Sequence, residues 1–302
     1  MDGRGSLTDC RSADNETGSA SLPRISVITP VRNGNPYLLD LLESVQKQDY
    51  PFVEHIVIDD GSDDGGWTLQ TLQASAGIRW WGHPNCGQYP TQNEGLRAAT
   101  GDLVTIICAD DMYAGSGALS AVARAWHPGV KVLYGDSLEL DAGGAPLPYQ
   151  VTGHGPLFSS DLLTWCVVRH SSVFIDRQFV MNRRLWFDES FHLCGDWEWL
   201  IRVFAAARDD ILYVPGRLGA YRNHALQTSQ QSWYAKSVDT ERMRVFAMYG
   251  GSVTAYRYAM RSTVWPRRWQ KARGLMRAGD LRAVCRWLLA AVKRCLAVRT
   301  SA

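Results

Sequence analysis

Two pairs of adjacent aspartates, Asp59-Asp60 and Asp110-Asp111, carry the sharpest chemical signal in this chain. A divalent cation such as manganese or magnesium prefers hard oxygen ligands and commonly joins one or two carboxylates to the phosphates of a substrate. Neighbouring carboxylates repel, and a bound cation relieves that repulsion. Asp110-Asp111 follows the apolar run Leu103–Cys108, so the pair is expected at the end of a buried strand. Taken alone, an Asp-Asp pair reads first as a solvated turn; the strand end is what favours the cation. Asp59-Asp60-Gly61-Ser62 follows His55–Ile58 in the same way. It can close as a β-turn with Asx bonding, or its carboxylates can accept hydrogen bonds from a base or a ribose hydroxyl. The chain contains neither G-x-G-x-x-G nor G-x-x-x-x-G-K-[ST], which argues against ordinary dinucleotide and P-loop sites.

The elements that must position these groups are legible in the periodicity. Ile25–Pro30 is β-rich and stops at a proline. Asn35 reads as an N-cap with Pro36 at the first helical position, and Leu38, Leu41, Leu42 and Val45 form the apolar stripe of the helix that follows. A strand over His55–Ile58, a short helix over Trp67–Ala76 and a strand over Ile78–Trp81 come next. Then follow a helix over Thr91–Ala99, the strand ending in Cys108, a helix over 115–126 and a strand over Val132–Asp136. This β-α-β alternation predicts an α/β fold with a mostly parallel sheet flanked by helices. Ligands of such sheets sit beyond the carboxyl ends of the strands, where Asn33, Asp59-Asp60 and Asp110-Asp111 fall. The half from about 140 to 250 is less regular, with a strand-like Ser172–Ile175, a helix from Asp196 to Arg208 and a strand over Ile211–Val214. At the start of that helix Asp196 can act simply as a cap.

Charge is unevenly spread along the 302 residues. The net charge is +2, yet residues 257–299 hold twelve Lys/Arg against the single acid Asp280, a local +11 that leaves −9 on the remainder. There, arginines alternate with Trp265 and Trp269, and Leu281, Val284, Leu288, Ala291 and Leu296 trace an apolar stripe. Such a basic amphipathic helix suits an anionic membrane surface or packs on the body with a solvated face; no nucleic-acid motif accompanies it. Residues 1–22 are small and polar and read as a disordered tail without a secretory leader. The seven cysteines are scattered without a C-x-x-C pair and read as buried, reduced thiols of a cytoplasmic protein. No run of about 18–20 apolar residues predicts a transmembrane helix.

Ser26-Val27-Ile28-Thr29-Pro30-Val31-Arg32-Asn33, Val57–Ser62, Gly87-Gln88-Tyr89, Asn93-Glu94-Gly95-Leu96, Ala99–Asp102 and Cys108–Asp111, in this order and spacing, resemble family 2 glycosyltransferases. The likeness continues through Phe187–Ser190, Gly195–Arg202 and Tyr221-Arg222-Asn223-His224, and so covers about residues 24–225. It implies a GT-A fold, a Rossmann-like sheet for nucleotide-sugar binding, over residues 23–230. The donor half would span about 23–140 and the acceptor half about 141–230, with a helical, basic region over 231–302.

The implied activity is inverting transfer of a sugar from a nucleotide-diphosphate sugar, a UDP-sugar first among them, to a saccharide or lipid-linked glycan in cell-surface polysaccharide synthesis. The enzyme would lie in the cytoplasm, peripheral on the inner face of the membrane. On the family pattern Pro30, Val31, Arg32, Asn33, Asp59, Asp60, Gln88, Asn93 and Asp110 line the donor site, and Asp111 with His224 holds a manganese or magnesium ion. Asp196 is the general base, and Glu198, His170 and Arg222 serve the acceptor or the phosphates. The family writes its metal motif Asp-x-Asp; here Ala109 takes the first place, and Asp110 and Asp111 divide the work. Two other readings remain: a non-catalytic nucleotide-sugar-binding relative, and a nucleotidyltransferase, for which Asn33-Gly34-Asn35-Pro36 is a poor phosphate loop.

Overall fold

A computed structural model describes residues 22–147, 168–231 and 233–250. The basic stretch 257–299 and the first 21 residues lie outside these, and with them the expected tail and membrane-binding helix. Strand β1 (Ile25–Val31) is buried along its whole length and is flanked in parallel by β2 (Val53–Asp60) and β4 (Leu103–Ile106). Strand β3 (Arg79–His83) extends the parallel set beyond β2. Between them run α1 (Leu38–Gln46), α2 (Trp67–Ala74) and α3 (Gln88–Ala98). Both faces of β1 are covered, which its almost unbroken apolar sequence requires. Ile25, Val27 and Val31 pack with α1 on one side, while Ile28 joins Leu96 of α3 on the other.

The second half departs from the expected parallel order. Strands β5 (Met112–Tyr113), β6 (Val132–Leu140), β7 (Val173–Asp176) and β8 (Ile211–Arg222) complete one mixed sheet in the order β3-β2-β1-β4-β7-β6-β8-β5. β7 runs antiparallel to both β4 and β6, β8 is parallel to β6, and β5 is antiparallel to β8. Helix α4 (Ala118–Ala125) covers one face, and α5 (Arg177–Arg183) follows β7 directly. Helix α6 (Gly195–Ala207) buries Leu200, Val203 and Phe204 against the other face. Helix α7 (Tyr234–Met248) adds Val238 and Val245 to that same core, so the packed body runs past residue 230. Among the described residues no helix is long and apolar enough to cross a membrane.

Helix α1 begins at Leu38 rather than at Pro36. Gly34 to Tyr37 closes as a tight turn, with the N–H groups of Tyr37 and Leu38 both donating to the Gly34 carbonyl, so Asn35 caps nothing. Of the thiols described, Cys194 is buried but Cys86 is exposed, against the expectation of buried cysteines.

Two contacts at the heart of the parallel half can be tested. A Cβ placed on Gly95 would sit 2.3 Å from the Ile28 Cγ2, so α3 approaches β1 only because position 95 has no side chain. Gly95→Ala is expected to destabilise by about 1–3 kcal/mol through overpacking, measured by chemical denaturation. Buried Glu54 accepts hydrogen bonds from the Ser26 hydroxyl (2.6 Å) and from the Thr100 N–H (2.9 Å). Burial works to raise its pKa, but these bonds hold it below the usual glutamate value. That contribution is present above the unfolded value of about 4.3 and is lost as pH falls through the folded value. Glu54→Gln is expected to lower stability at neutral pH and to reduce the loss of stability on acidification, read from midpoints between about pH 6 and about pH 2, since the loss falls below the unfolded value.

Candidate active site

The loops after β1 and β2 are fastened to each other. Asp59 accepts from both the N–H and the hydroxyl of Ser62 (3.0 and 2.6 Å), and the Ser62 oxygen accepts from the Asn33 N–H at 2.8 Å. Asn33, at φ 55°, exchanges two side-chain hydrogen bonds with Asp63 at 2.7 and 2.8 Å. Arg32 lies 3.8 Å from Asp63. Pro30 and Val31 are still inside β1 and buried. Asn33 and Asp59 therefore shape this loop pair with the same groups that a donor would need. Asp60 turns the other way and accepts from the N–H groups of Cys86 (2.7 Å) and Gly87 (3.1 Å), which sets the entry to α3, where Gln88 is exposed.

Further along α3, Asn93 is buried and tied across the molecule. Its amide donates to the Phe187 carbonyl (3.0 Å) and to Glu189 (2.8 Å), and its oxygen accepts from the Phe187 N–H (2.8 Å). Both of its N–H groups are thus engaged, and the residue expected to touch the donor instead joins the donor-side helix to the segment before α6.

The acidic strand end is built around Arg222. Pairing of β5 with β8, Met112 opposite Ala220, brings Arg222 beneath Asp110-Asp111. The Arg222 N–H donates to Asp111 at 3.2 Å, and the guanidinium donates to the carbonyls of Asp110 (3.1 Å) and Ala142 (3.2 Å) and to the Asp40 carboxylate (2.6 Å). It also lies over the Tyr37 ring, 4.7 Å from the centroid. At 2% exposure with these donors committed, Arg222 is a buried organiser and not the phosphate ligand expected from sequence. His224 packs on the same Tyr37 ring at 4.3 Å and sets its Nε2 3.0 Å from Asp110 Oδ2.

Asp111 is 2% exposed, and burial, with the charge of Asp110 adding to it, pushes its carboxyl well above the usual range. Two crowded carboxylates, one of them buried, fit a divalent cation, which relieves their repulsion.

The segment expected on the acceptor side converges on Asp196. The N–H of Gly195 donates to the buried Tyr89 hydroxyl at 2.9 Å, and Tyr89, Phe187 and Trp199 stack in sequence beneath the segment. Glu241 of α7 accepts the consecutive N–H groups of His192, Leu193 and Cys194 at 2.8–2.9 Å. Asp196 is held there with its side chain 31% exposed, one oxygen accepting from the Trp197 N–H. Its other oxygen is 3.9 Å from His170 Nδ1, and His170 Nε2 is 3.3 Å from Cys108 Sγ, at the approach to Asp110. Burial outweighs the pull of Asp196 and lowers the His170 pKa, so the imidazole is neutral at physiological pH.

Glu198 is not on this surface. It is 1% exposed and grips Arg202 with both oxygens (2.6 and 2.8 Å) while accepting from the Tyr249 hydroxyl, which pins α6 to the end of α7. The expected acceptor role passes out of reach because the i,i+4 pair with Arg202 turns it inward.

The sequence profile of Glycosyl transferase family 2 matches residues 26–191, more than half of the chain. The chain belongs to glycosyl transferase family 2. Over 121 residues it is 36% identical to the GalNAc(5)-diNAcBac-PP-undecaprenol beta-1,3-glucosyltransferase of Campylobacter jejuni, a match covering 39% of each chain. The chain thus matches well under half the length of that relative. A longer match, 28% identical over 194 residues, covers 61% of this family 2 chain and 70% of an uncharacterized glycosyltransferase of Mycobacterium tuberculosis. Among solved structures, S. aureus TarS 1-349 in complex with UDP-GlcNAc superimposes with a TM-score of 0.61 at 17% identity, over 83% of this chain and 71% of that one. The mannosyltransferase PcManGT of Pyrobaculum calidifontis, in complex with GDP-Man and Mn2+, gives 0.54 at 17% identity, over 92% and 81%. At such identities the likeness is one of fold, and the fold is GT-A-like.

Residues absent from the sequence expectations do much of the positioning. Tyr37, Asp40 and Glu241 have no local spacing that marks them, because each acts on a segment far along the chain; Tyr89 stands in the motif Gly87-Gln88-Tyr89, which by itself gives it no role. Arg222→Lys removes the planar fork that reaches three acceptors at once. It is expected to lower stability by about 2 kcal/mol or more, measured by denaturation, since it strips a charge-assisted bond from Asp40 and leaves buried carbonyls unpaired.

Proposed function

We propose that this protein transfers a sugar from a nucleotide-diphosphate sugar, a UDP-sugar in the first place, to a hydroxyl of a saccharide or lipid-linked glycan, with inversion at the anomeric carbon. The observation that carries this reading is the meeting of Asp196 with the Asp110-Asp111 strand end through His170 and Cys108. A partly exposed carboxylate on a clamped helix start is what single displacement needs. Asp196 accepts the proton of the acceptor hydroxyl as that oxygen bonds to the anomeric carbon, and the bond to the diphosphate breaks with its electron pair leaving on oxygen. Tyr89 and Glu241 hold the segment that carries the base, and His170 stands beside its carboxylate at 3.9 Å. A manganese or magnesium ion at Asp111, with Asp110 and His224 beside it, would supply charge neutralisation for the departing diphosphate. Asp60, Arg32 and the exposed Gln88 are the groups offered to the base, ribose and phosphates.

The names of the relatives support the substrate classes: one glucosyltransferase carries an undecaprenol diphosphate acceptor in its name, and two fold neighbours hold nucleotide sugars. The basic, tryptophan-bearing stretch 257–299 suits a lipid-linked acceptor at an anionic membrane surface, with the enzyme peripheral on its inner face. Cell-surface polysaccharide synthesis is the process that joins these.

Thermal midpoints with UDP, GDP, CDP and dTDP, each with manganese or with EDTA, test the donor site. One nucleotide at about a hundred times its Kd is expected to add ~2.7 kcal/mol only when manganese is present. Asp111→Asn should abolish that gain. Asp196→Asn should keep it while turnover with the matching sugar nucleotide falls by roughly 10²–10⁴. Unchanged turnover in Asp196→Asn would sink the base assignment, and binding without any turnover in the wild type would leave a non-catalytic relative.

A further inference from the structure

A second group of ligand-type side chains meets on the other side of the loop that Asp60 holds. His83 Nδ1 lies 3.6 Å from Asp60 Oδ1 and 3.8 Å from Cys86 Sγ, and the ligand atoms of all three fall within 4.8 Å of one another. Tetrahedral zinc, with a thiolate at about 2.3 Å and nitrogen or carboxylate oxygen at about 2.0–2.2 Å, spaces its ligand atoms by roughly 3.3–3.6 Å. A small contraction would enclose the ion. The three residues come from rigid origins. Asp60 and His83 are opposite each other at the ends of paired strands β2 and β3, and Cys86 is drawn in by its own N–H on Asp60.

A carboxylate also stands behind the imidazole. The ring Nε2 is 3.2 Å from Glu94 Oε2, close but not aligned as a hydrogen bond, and the other oxygen of Glu94 accepts the Trp81 indole N–H at 2.6 Å. A carboxylate behind a ligating histidine fixes its tautomer and raises its basicity. Nδ1 also lies 2.9 Å from the Pro84 carbonyl, which can take the Nδ1 proton in the metal-free protein. With that proton on Nε2 instead, the Nδ1 lone pair becomes available to a cation beside Asp60 and Cys86 once the ring turns from the Pro84 carbonyl. Partial desolvation by its neighbours, with the charges of Asp60 and Glu94 adding to it, pushes the exposed Cys86 thiol up, and a dication reverses that local balance.

We propose that Asp60, His83 and Cys86 form a second cation site, selective for a thiophilic dication such as zinc and leaving the fourth coordination position open. The sulfur ligand separates it from the all-oxygen preference of the catalytic ion, which favours manganese or magnesium. Because Asp60 is among the groups offered to the nucleotide, zinc here and donor at the catalytic site would exclude each other; that consequence rests on the donor reading above, while the site itself does not.

The full-length protein, stripped of metal by a chelator, is titrated with zinc alone by calorimetry and with cobalt(II) by absorption. Saturable one-to-one binding and a near-ultraviolet thiolate-to-cobalt charge-transfer band are expected. Cys86→Ser should abolish the band and weaken zinc by about a hundredfold or more, and Glu94→Gln should weaken it by about ten- to a hundredfold. Undiminished zinc affinity and an intact band in Cys86→Ser, or no saturable binding in the wild type, would overturn the proposal. A parallel titration of UDP with manganese, in the absence and presence of zinc, reports on the donor reading separately. No UDP binding beside an intact cobalt band removes the donor reading alone, and UDP binding without the band removes the zinc site alone.

Discussion

The buried guanidinium of Arg222 is the interaction on which the rest of this site depends. Asp110 and Asp111 sit side by side at a strand end, one of them almost wholly removed from water, and such an arrangement is unstable without something to hold it. Arg222 supplies that from below: its backbone N–H bonds Asp111, and its side chain binds the Asp110 carbonyl, the loop at Ala142 and Asp40 on α1. The acidic pair is thereby fixed from three directions. A lysine, with one compact charge, has no geometry for this. The same residue joins the first helix of the parallel half to the last strand of the mixed half, so the sheet's long excursion through β6, β7 and β8 returns to support its beginning.

The segment around Asp196 follows a different logic. Asp196 is held by groups that touch its backbone neighbours and leave its own carboxylate partly open. Tyr89 takes the Gly195 N–H, and Glu241 gathers three successive N–H groups in front of it. A carboxylate receiving several backbone donors is a strong, charge-assisted anchor, and here it is spent on a loop whose job is to present another carboxylate. Glu198, two residues on, is turned inward to Arg202 and Tyr249, so the two acids of one helical turn have opposite tasks.

Much of this was legible in the residues themselves. Apolar runs ending in polar clusters located β1, β2 and β4 and set Asp60 and Asp110-Asp111 at their carboxyl ends, because strand burial is a local property of the chain. The start of α6 at Asp196 was readable for the same reason. What escaped was non-local. Arg222 reads as a phosphate ligand from its neighbours in sequence, but its partners Asp40, Asp110 and Ala142 come from three separate segments. Asn93 reads as donor-facing, yet its amide is claimed by Phe187 and Glu189. The antiparallel insertion of β7 between β4 and β6 has no signature in a strand of four residues. Cys86 and His83 attract no notice by spacing, since it is the register of β3 on β2 that brings the imidazole opposite Asp60.

The bridge from Asn93 also constrains the order in which the molecule can assemble. Its side chain is buried with both N–H groups claimed by residues more than ninety positions later. As the chain emerges from a ribosome, the first β-α-β units can pair while that amide still faces water. Closing the core around it must wait until Phe187 arrives, at the entropic cost of a long loop. The half that carries the β1 and β2 loops thus cannot reach its final packing alone, and a nascent chain becomes a complete scaffold only when the segment leading to Asp196 is already at hand.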